Sequence, residues 1–143
     1  MPLNKYAPQV ATHRRTQSAI LAATKGLIAT NGLKKMSMIE IADASEVSRA
    51  TLYNHYRDKE SVIFALCESE LARLVEIAQN APDATSALEQ ISLQVSSDPA
   101  LAAMRVQDPD QLALALTKHD DHLWKAFAIA LTHLLGERYR TCY

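Results

Sequence analysis

The segment Ser37–Glu60, SMIEIADASEVSRATLYNHYRDKE, decides the fold of this chain. Ser37 can accept from the backbone N–H three residues on while Glu40 reaches back, a capping box that starts a short helix. Ile41 turns inward, Ala42 lets a neighbouring helix approach closely, and the run ends near Ser45–Glu46. Val47 is apolar and Ser48 is a good N-cap, so a second short helix begins there and runs to about His55. Asp58 caps a long helix that starts at Lys59. Two short helices joined by a turn of about three or four residues form a helix-turn-helix.

The second of these helices has an uncommon surface. Ile41, Ala42, Val47 and Leu52 are the inward residues, which leaves Arg49, Ala50, Thr51, Tyr53, Asn54 and His55 looking outward. In a helix-turn-helix the second helix lies in the DNA major groove. The outward types suit that place. Arg can bond guanine O6 and N7 together, and Asn can do the same on adenine. Thr and Tyr hydroxyls reach phosphates or base edges, while Ala50 leaves room for close approach. Lys59 joins its charge to the N–H groups of a helix start, a phosphate clamp. Ser37, at the start of the first short helix, completes the candidate contacts.

Working outward, Ile20, Leu21, Thr24, Leu27 and Ile28 recur at helical spacing, and Asn31-Gly32 supplies the left-handed exit of that helix. Its expected start is about Thr12. Residues 1–11 hold two prolines and little periodicity, and they read as a flexible arm. On the other side, the Lys59 helix runs to roughly Gln79 with Val62, Ile63, Leu66, Leu74 and Val75 inward, and Ala81-Pro82-Asp83 breaks it. Ala87, Leu88, Ile91 and Val95 mark the next helix. Ser97-Asp98-Pro99 and Asp108-Pro109 start two more, and a last apolar face runs from about His122 to Arg140. No strand-like alternation, repeat or low-complexity tract interrupts the pattern.

Composition agrees with an all-α chain. Gly occurs only 3 times in 143 residues, and the 48% hydrophobic content is ample for a core. The net charge of −1 hides a division. Residues 1–62 carry nine Lys and Arg against five Asp and Glu, whereas residues 63–143 carry six against eleven. A basic head on an acidic body fits a polyanion-binding protein. Cys67 and Cys142 have no metal-like spacing, which favours a reduced compartment. With no apolar h-region and no span-length apolar run, the expectation is a soluble, cytoplasmic protein.

From Arg15 to Leu66 the sequence resembles the N-terminal domain of the TetR family of bacterial transcriptional regulators. The resemblance is carried by AILAATKGLIATNGLKKMSMIEIADASEVSRATLYNHYRDKESVIFAL, residues 19–66. It covers about a third of the chain. It implies that Arg49, Ala50, Thr51, Tyr53, Asn54 and His55 meet DNA and that Lys59 contacts a phosphate. Two positions depart from the family pattern. Glu46 stands where the family usually has Gly, at a cost of roughly 1 kcal/mol if φ is positive, and Ala50 replaces a common Gly. Tyr56 falls where the family usually packs an aromatic inside.

The expected organisation is a flexible arm (1–11), a three-helix helix-turn-helix head (12–66), and a small helical ligand-binding and dimerisation body (67–143). By resemblance the body implies a dimer interface and an effector pocket. Family members are usually longer, so the final helices of their dimer bundle are expected to be short or missing here. Leu123, Trp124, Phe127, Leu131, Leu134 and Leu135 form the candidate dimer face, with intramolecular core as the competing use. Met104, Trp124 and Phe127 are the candidate pocket lining. KHDDHLW, Lys118–Trp124, reads as a solvated break rather than a metal site, and no cofactor is expected. No nucleophile–base grouping, glycine-rich phosphate loop or paired carboxylate motif supports an enzyme. The function expected is a DNA-binding regulator, a ligand-responsive repressor on a palindromic operator as a homodimer. The alternative is an interaction module that pairs with another regulator and modulates its DNA binding.

Overall fold

The structure, a computed structural model, describes residues 7–117 together with 125, 128, 129 and 132. Among these residues the fold is all-α: α1 (Ala7–Asn31), α2 (Met38–Ser45), α3 (Arg49–His55), α4 (Lys59–Asn80), α5 (Ala84–Ser96), α6 (Pro99–Gln107) and α7 (Pro109–Thr117). The chain divides into two compact units, Met1–Leu66 and Cys67–Tyr143.

In the first unit, α1 packs against α2 and α2 against α3. Ile20, Thr24, Ile28, Ile41, Leu52 and Val62 are buried, joined by Leu33, Met36, Ala42, Tyr56 and Leu66. The one polar member of the innermost set, Thr24, donates its hydroxyl to the Ile20 carbonyl at 2.7 Å, so no buried donor is left over. Helix α1 ends as its Asn-Gly exit requires. Gly32 takes φ 80 and its N–H returns to the Ile28 carbonyl at 3.0 Å.

One expectation is corrected at the N-terminus. Residues 7–11 belong to α1 rather than to an arm, because Ala7 opens the helix and puts Pro8 in its first turn. Proline is disruptive in a helix interior, but in the first turn its missing N–H has no intrahelical partner to lose.

In the second unit α5 packs against α6 and α6 against α7. The starts of α5 and α6 are set by side-chain caps. The Asp83 carboxylate accepts from Ser86 N–H at 2.7 Å, and Asp98 accepts from Ala100 and Leu101 N–H at 2.9 and 3.2 Å. Arg73 of α4 bonds Glu70 within its own helix at 3.3 Å and donates to Gln94 of α5 at 3.2 Å. No helix among the described residues is long and apolar enough to cross a membrane.

Candidate nucleic-acid interface

The two short helices are positioned by caps that the sequence specifies locally. Ser37 takes an extended backbone and its Oγ accepts from Glu40 N–H at 3.3 Å, which starts α2. The Glu40 carboxylate makes no return bond to Ser37 N–H, so the cap works in one direction only. Ser48 does the same for α3, accepting from Thr51 N–H at 3.1 Å and donating to the Thr51 hydroxyl at 2.8 Å.

Between them, Glu46 adopts φ 58, ψ 34, and its N–H bonds the carbonyls of Ala42 and Asp43. It is the only non-glycine residue at positive φ among those described. The left-handed turn therefore forms with a residue that does not favour it. The tight Ala42 packing and the Val47 N–H to Ala42 carbonyl bond, 3.1 Å, hold it there. The Glu46 side chain is exposed.

Helix α3 then sorts its residues by phase. Leu52 is fully buried and fixes the helix to the head. Arg49, Ala50, Tyr53 and Asn54 are exposed, with Tyr53 at 55%. Tyr56, three residues beyond Tyr53, is only 9% exposed and caps the helix end with its N–H on the Leu52 carbonyl.

The remaining candidates are more committed than a freely outward face would have them. Thr51 is half-buried, with its hydroxyl oxygen engaged by Ser48. His55 is half-buried and stacks on His13 of α1, ring centroids 4.2 Å apart and 24° from parallel. Burial, and secondarily the His13 charge, hold the His55 imidazole below its ordinary range. Ser37 is half-buried as a cap.

At the next helix start, Asp58 Oδ1 accepts from the Ser61 N–H at 2.8 Å and from its hydroxyl at 2.6 Å. Part of the helix end expected to serve phosphate is thus already occupied by a carboxylate. Lys59 is half-buried, and its Nζ donates to the Lys34 carbonyl at 3.5 Å.

His13 was not among the candidates read from the sequence. It lies with Gln9, Thr12 and Thr16 along a groove whose other wall is Thr51 and His55. The signal was present in the i, i+3, i+4, i+7 spacing of four polar residues on α1. Of the body candidates, Met104 is half-buried on α6. Leu123, Trp124, Phe127, Leu131, Leu134 and Leu135 lie outside the described residues, as do His119 and His122.

With this geometry in place, the likenesses to known proteins take on meaning. The family model of bacterial regulatory proteins, tetR family, matches residues 20–66. No curated protein matches the sequence. Among solved structures, the fatty acid degradation regulator FadR of Bacillus halodurans superposes with TM-score 0.67 at 24% identity, covering 89% of this chain and 69% of that one. The SCO7518 protein of Streptomyces coelicolor A3(2) gives 0.60 at 20% identity, with 84% and 75% covered. A TetR-family transcriptional regulator of Haemophilus influenzae, HI0893, gives 0.57 at 15%, with 84% and 86% covered. At these identities the likeness is one of fold. Residues 20–66 are thus similar to the N-terminal domain of tetR-family regulatory proteins, and the chain shares the all-α fold of these solved regulators.

Proposed function

We propose that the chain is a cytoplasmic, DNA-binding transcriptional regulator that inserts α3 into the major groove of duplex DNA. The observation that supports this most is the sorting of α3. Leu52 anchors one side in the core while Arg49, Ala50, Tyr53 and Asn54 stand in solvent. Arg49 is the base-reading residue, Asn54 a second reader, and Tyr53, Thr51 and Lys59 bind the backbone. Ser37 and His55 reach the backbone at the edges of the same face.

A helix this short makes few base contacts, so the protein acts as a homodimer. It reads two half-sites of a palindrome about 34–36 Å apart. The body supplies the dimer contact and a site for a small effector that releases the operator, as in a repressor. The dimer contact is assigned to Leu123, Trp124, Phe127, Leu131, Leu134 and Leu135, and the effector site to Met104, Trp124 and Phe127. The exposed Leu93 and Val106 also favour a second reading, in which the body docks on another regulator.

The deciding experiment is selection of duplexes from a genomic fragment library, followed by binding across a salt series and light scattering with and without the selected duplex. A regulator of this kind loses affinity steeply as salt rises, and two copies are found on an operator-length duplex. Absent or salt-insensitive duplex binding defeats the proposal. A strict monomer in both states removes the two-fold mechanism.

A further inference from the structure

The phase of α3 says which side chains stand at its outermost line. Leu52 is fully buried, and each step along an α-helix turns the side chain by about 100°. Ala50 and Asn54, two residues to either side of Leu52, therefore point about 160° away from it. Both are exposed. Thr51 and His55 lie on one flank and are half-buried, with His55 stacked on His13 of α1. Arg49 and Tyr53 lie on the other flank in solvent, Tyr53 at 55%. The part of α3 farthest from the core is thus a methyl group and a carboxamide, bordered by an aromatic ring, and neither of the two outermost side chains is charged.

That composition limits what the helix can read. A methyl group has neither donor nor acceptor. Pressed against a cytosine amino group or a guanine carbonyl, it strips water and returns no hydrogen bond. The major groove has one apolar feature, the C5-methyl of thymine, and alanine is among the residues that contact it. Asn54, one turn further along the same face, suits adenine N6 and N7. The rise over those four residues is about 6 Å, or roughly two base-pair steps. Resting on the function argued above, we propose that Ala50 is a specificity-determining residue whose methyl packs on the C5-methyl of a thymine, within about two base pairs of the adenine bonded by Asn54.

Each half-site then requires a 5-methylpyrimidine at one place, a demand that Arg49 and Asn54 do not make. Burial of a methyl-sized group is worth about fourfold in affinity. Loss of the methyl from both half-sites compounds to about fifteenfold. An apolar contact is not screened by ions, so this ratio holds across a salt series in which the total affinity falls.

The test uses the full chain and the tightest duplex from the genomic selection. Each thymine is replaced in turn by deoxyuridine, which removes the methyl and keeps every hydrogen-bonding group. Affinities are compared for the parent, Ala50→Gly and Ala50→Ser. The expected result is one thymine per half-site whose replacement weakens the parent about fourfold, with no such penalty in either variant. Where a C·G pair is put at that place, 5-methylcytosine binds the parent better than cytosine does. Because Ala50 is exposed, Ala50→Ser keeps the fold even where Ala50→Gly loosens α3. Should no duplex be bound at all, the regulator reading falls and this contact with it. If a duplex is bound and no thymine shows the penalty, the regulator reading stands and the methyl contact is overturned. A penalty that persists undiminished in both variants gives the methyl to another residue and overturns the assignment to Ala50.

Discussion

The two units of this chain bury different things. In the head the residues that disappear from solvent are large: Ile20, Ile28, Ile41, Leu52, Val62 and Tyr56. In the body the buried apolar side chains among the described residues are alanines, Ala78, Ala84, Ala87 and Ala100. Several of the body's larger apolar residues are exposed, namely Leu88, Leu93, Val95, Leu114 and, at 83%, Val106, while others such as Leu74, Ile91 and Leu101 are half-buried. Burial of a large aliphatic side chain contributes about 1.5–3 kcal/mol, and an alanine far less. The head therefore holds itself together, whereas helices α5–α7 offer apolar surface that a further contact could use. On the function proposed above, that contrast suits a head that reads DNA and a body that associates.

The sharpest way to break the contrast is to compare Leu52→Ala with Val106→Ser. Leu52 is fully buried and ties α3 to the core. Its truncation is expected to cost about 2–5 kcal/mol and, with it, duplex binding. Val106→Ser touches an exposed position and should stay within about 0.5 kcal/mol. Denaturant unfolding with amide exchange resolved by unit measures both. Equal losses in the two variants would mean that the body carries a core of its own at that position.

A step down in size, Arg49→Ala asks whether the exposed half of α3 reads bases. The expected cost is about 1–3 kcal/mol of discrimination at one base pair of each half-site, with thermal stability unchanged. Lys59→Ala, by contrast, should weaken binding about equally across sequences and flatten the salt slope. A binding matrix for each variant against the same duplex panel separates the two roles. Identical profiles would deny Arg49 its special place.

How legible these features are in the sequence follows from the range of the forces involved. Caps are local, so Ser37, Ser48, Asp58 and Asp98 mark their helix starts within a few residues, and the structure places them there, while Asp83, read only as part of a break, is a cap as well. The phase of α3 is legible as well, because Leu52 is its one large aliphatic residue. The start of α1 is not, since Pro8 looks like a breaker until its position in the first turn is known. Nor is the His13–His55 stack. The polar spacing of Gln9, Thr12, His13 and Thr16 marks a face of α1, but only packing decides that this face meets His55. The exposure of the body's leucines is hidden for a similar reason. Leu88 and Val95 share helical spacing with Ala87 and Ile91, yet Ala87 is buried while Leu88 and Val95 are exposed.

The turn between α2 and α3 allows a smaller test within the head itself. Glu46 holds φ 58 without being glycine, and Glu46→Gly should relieve that conformation. The expected gain is at most about 1 kcal/mol, since glycine also gives the unfolded chain more freedom to lose. Removing a negative charge beside the proposed phosphates should tighten duplex binding at low salt as well. Stability and affinity measured on the same variant decide between strain and charge. A destabilised Glu46→Gly would mean that the exposed carboxylate makes a contribution the turn geometry conceals.

The smallest expected effect concerns the start of α4. The Ser61 hydroxyl, then the Ser61 N–H, hold the Asp58 carboxyl below its ordinary value, with a lesser pull from Arg57. A carboxyl that is more acidic in the folded chain than in the unfolded one binds fewer protons when folded. Its contribution to stability is therefore complete above the ordinary carboxylate range and is lost as pH falls through the lowered folded value. Ser61→Ala removes the hydroxyl bond but keeps the backbone one, so the Asp58 carboxyl should move part of the way back up. The stability curve should then flatten at its acid end and coincide with the parent's once both carboxyls are protonated. Carboxyl titration by NMR, beside unfolding at matched pH values, reads the shift and its consequence together. If the Asp58 titration does not move in Ser61→Ala, the cap rests on the backbone N–H alone, and the hydroxyl bond adds nothing to the helix start that presents Lys59.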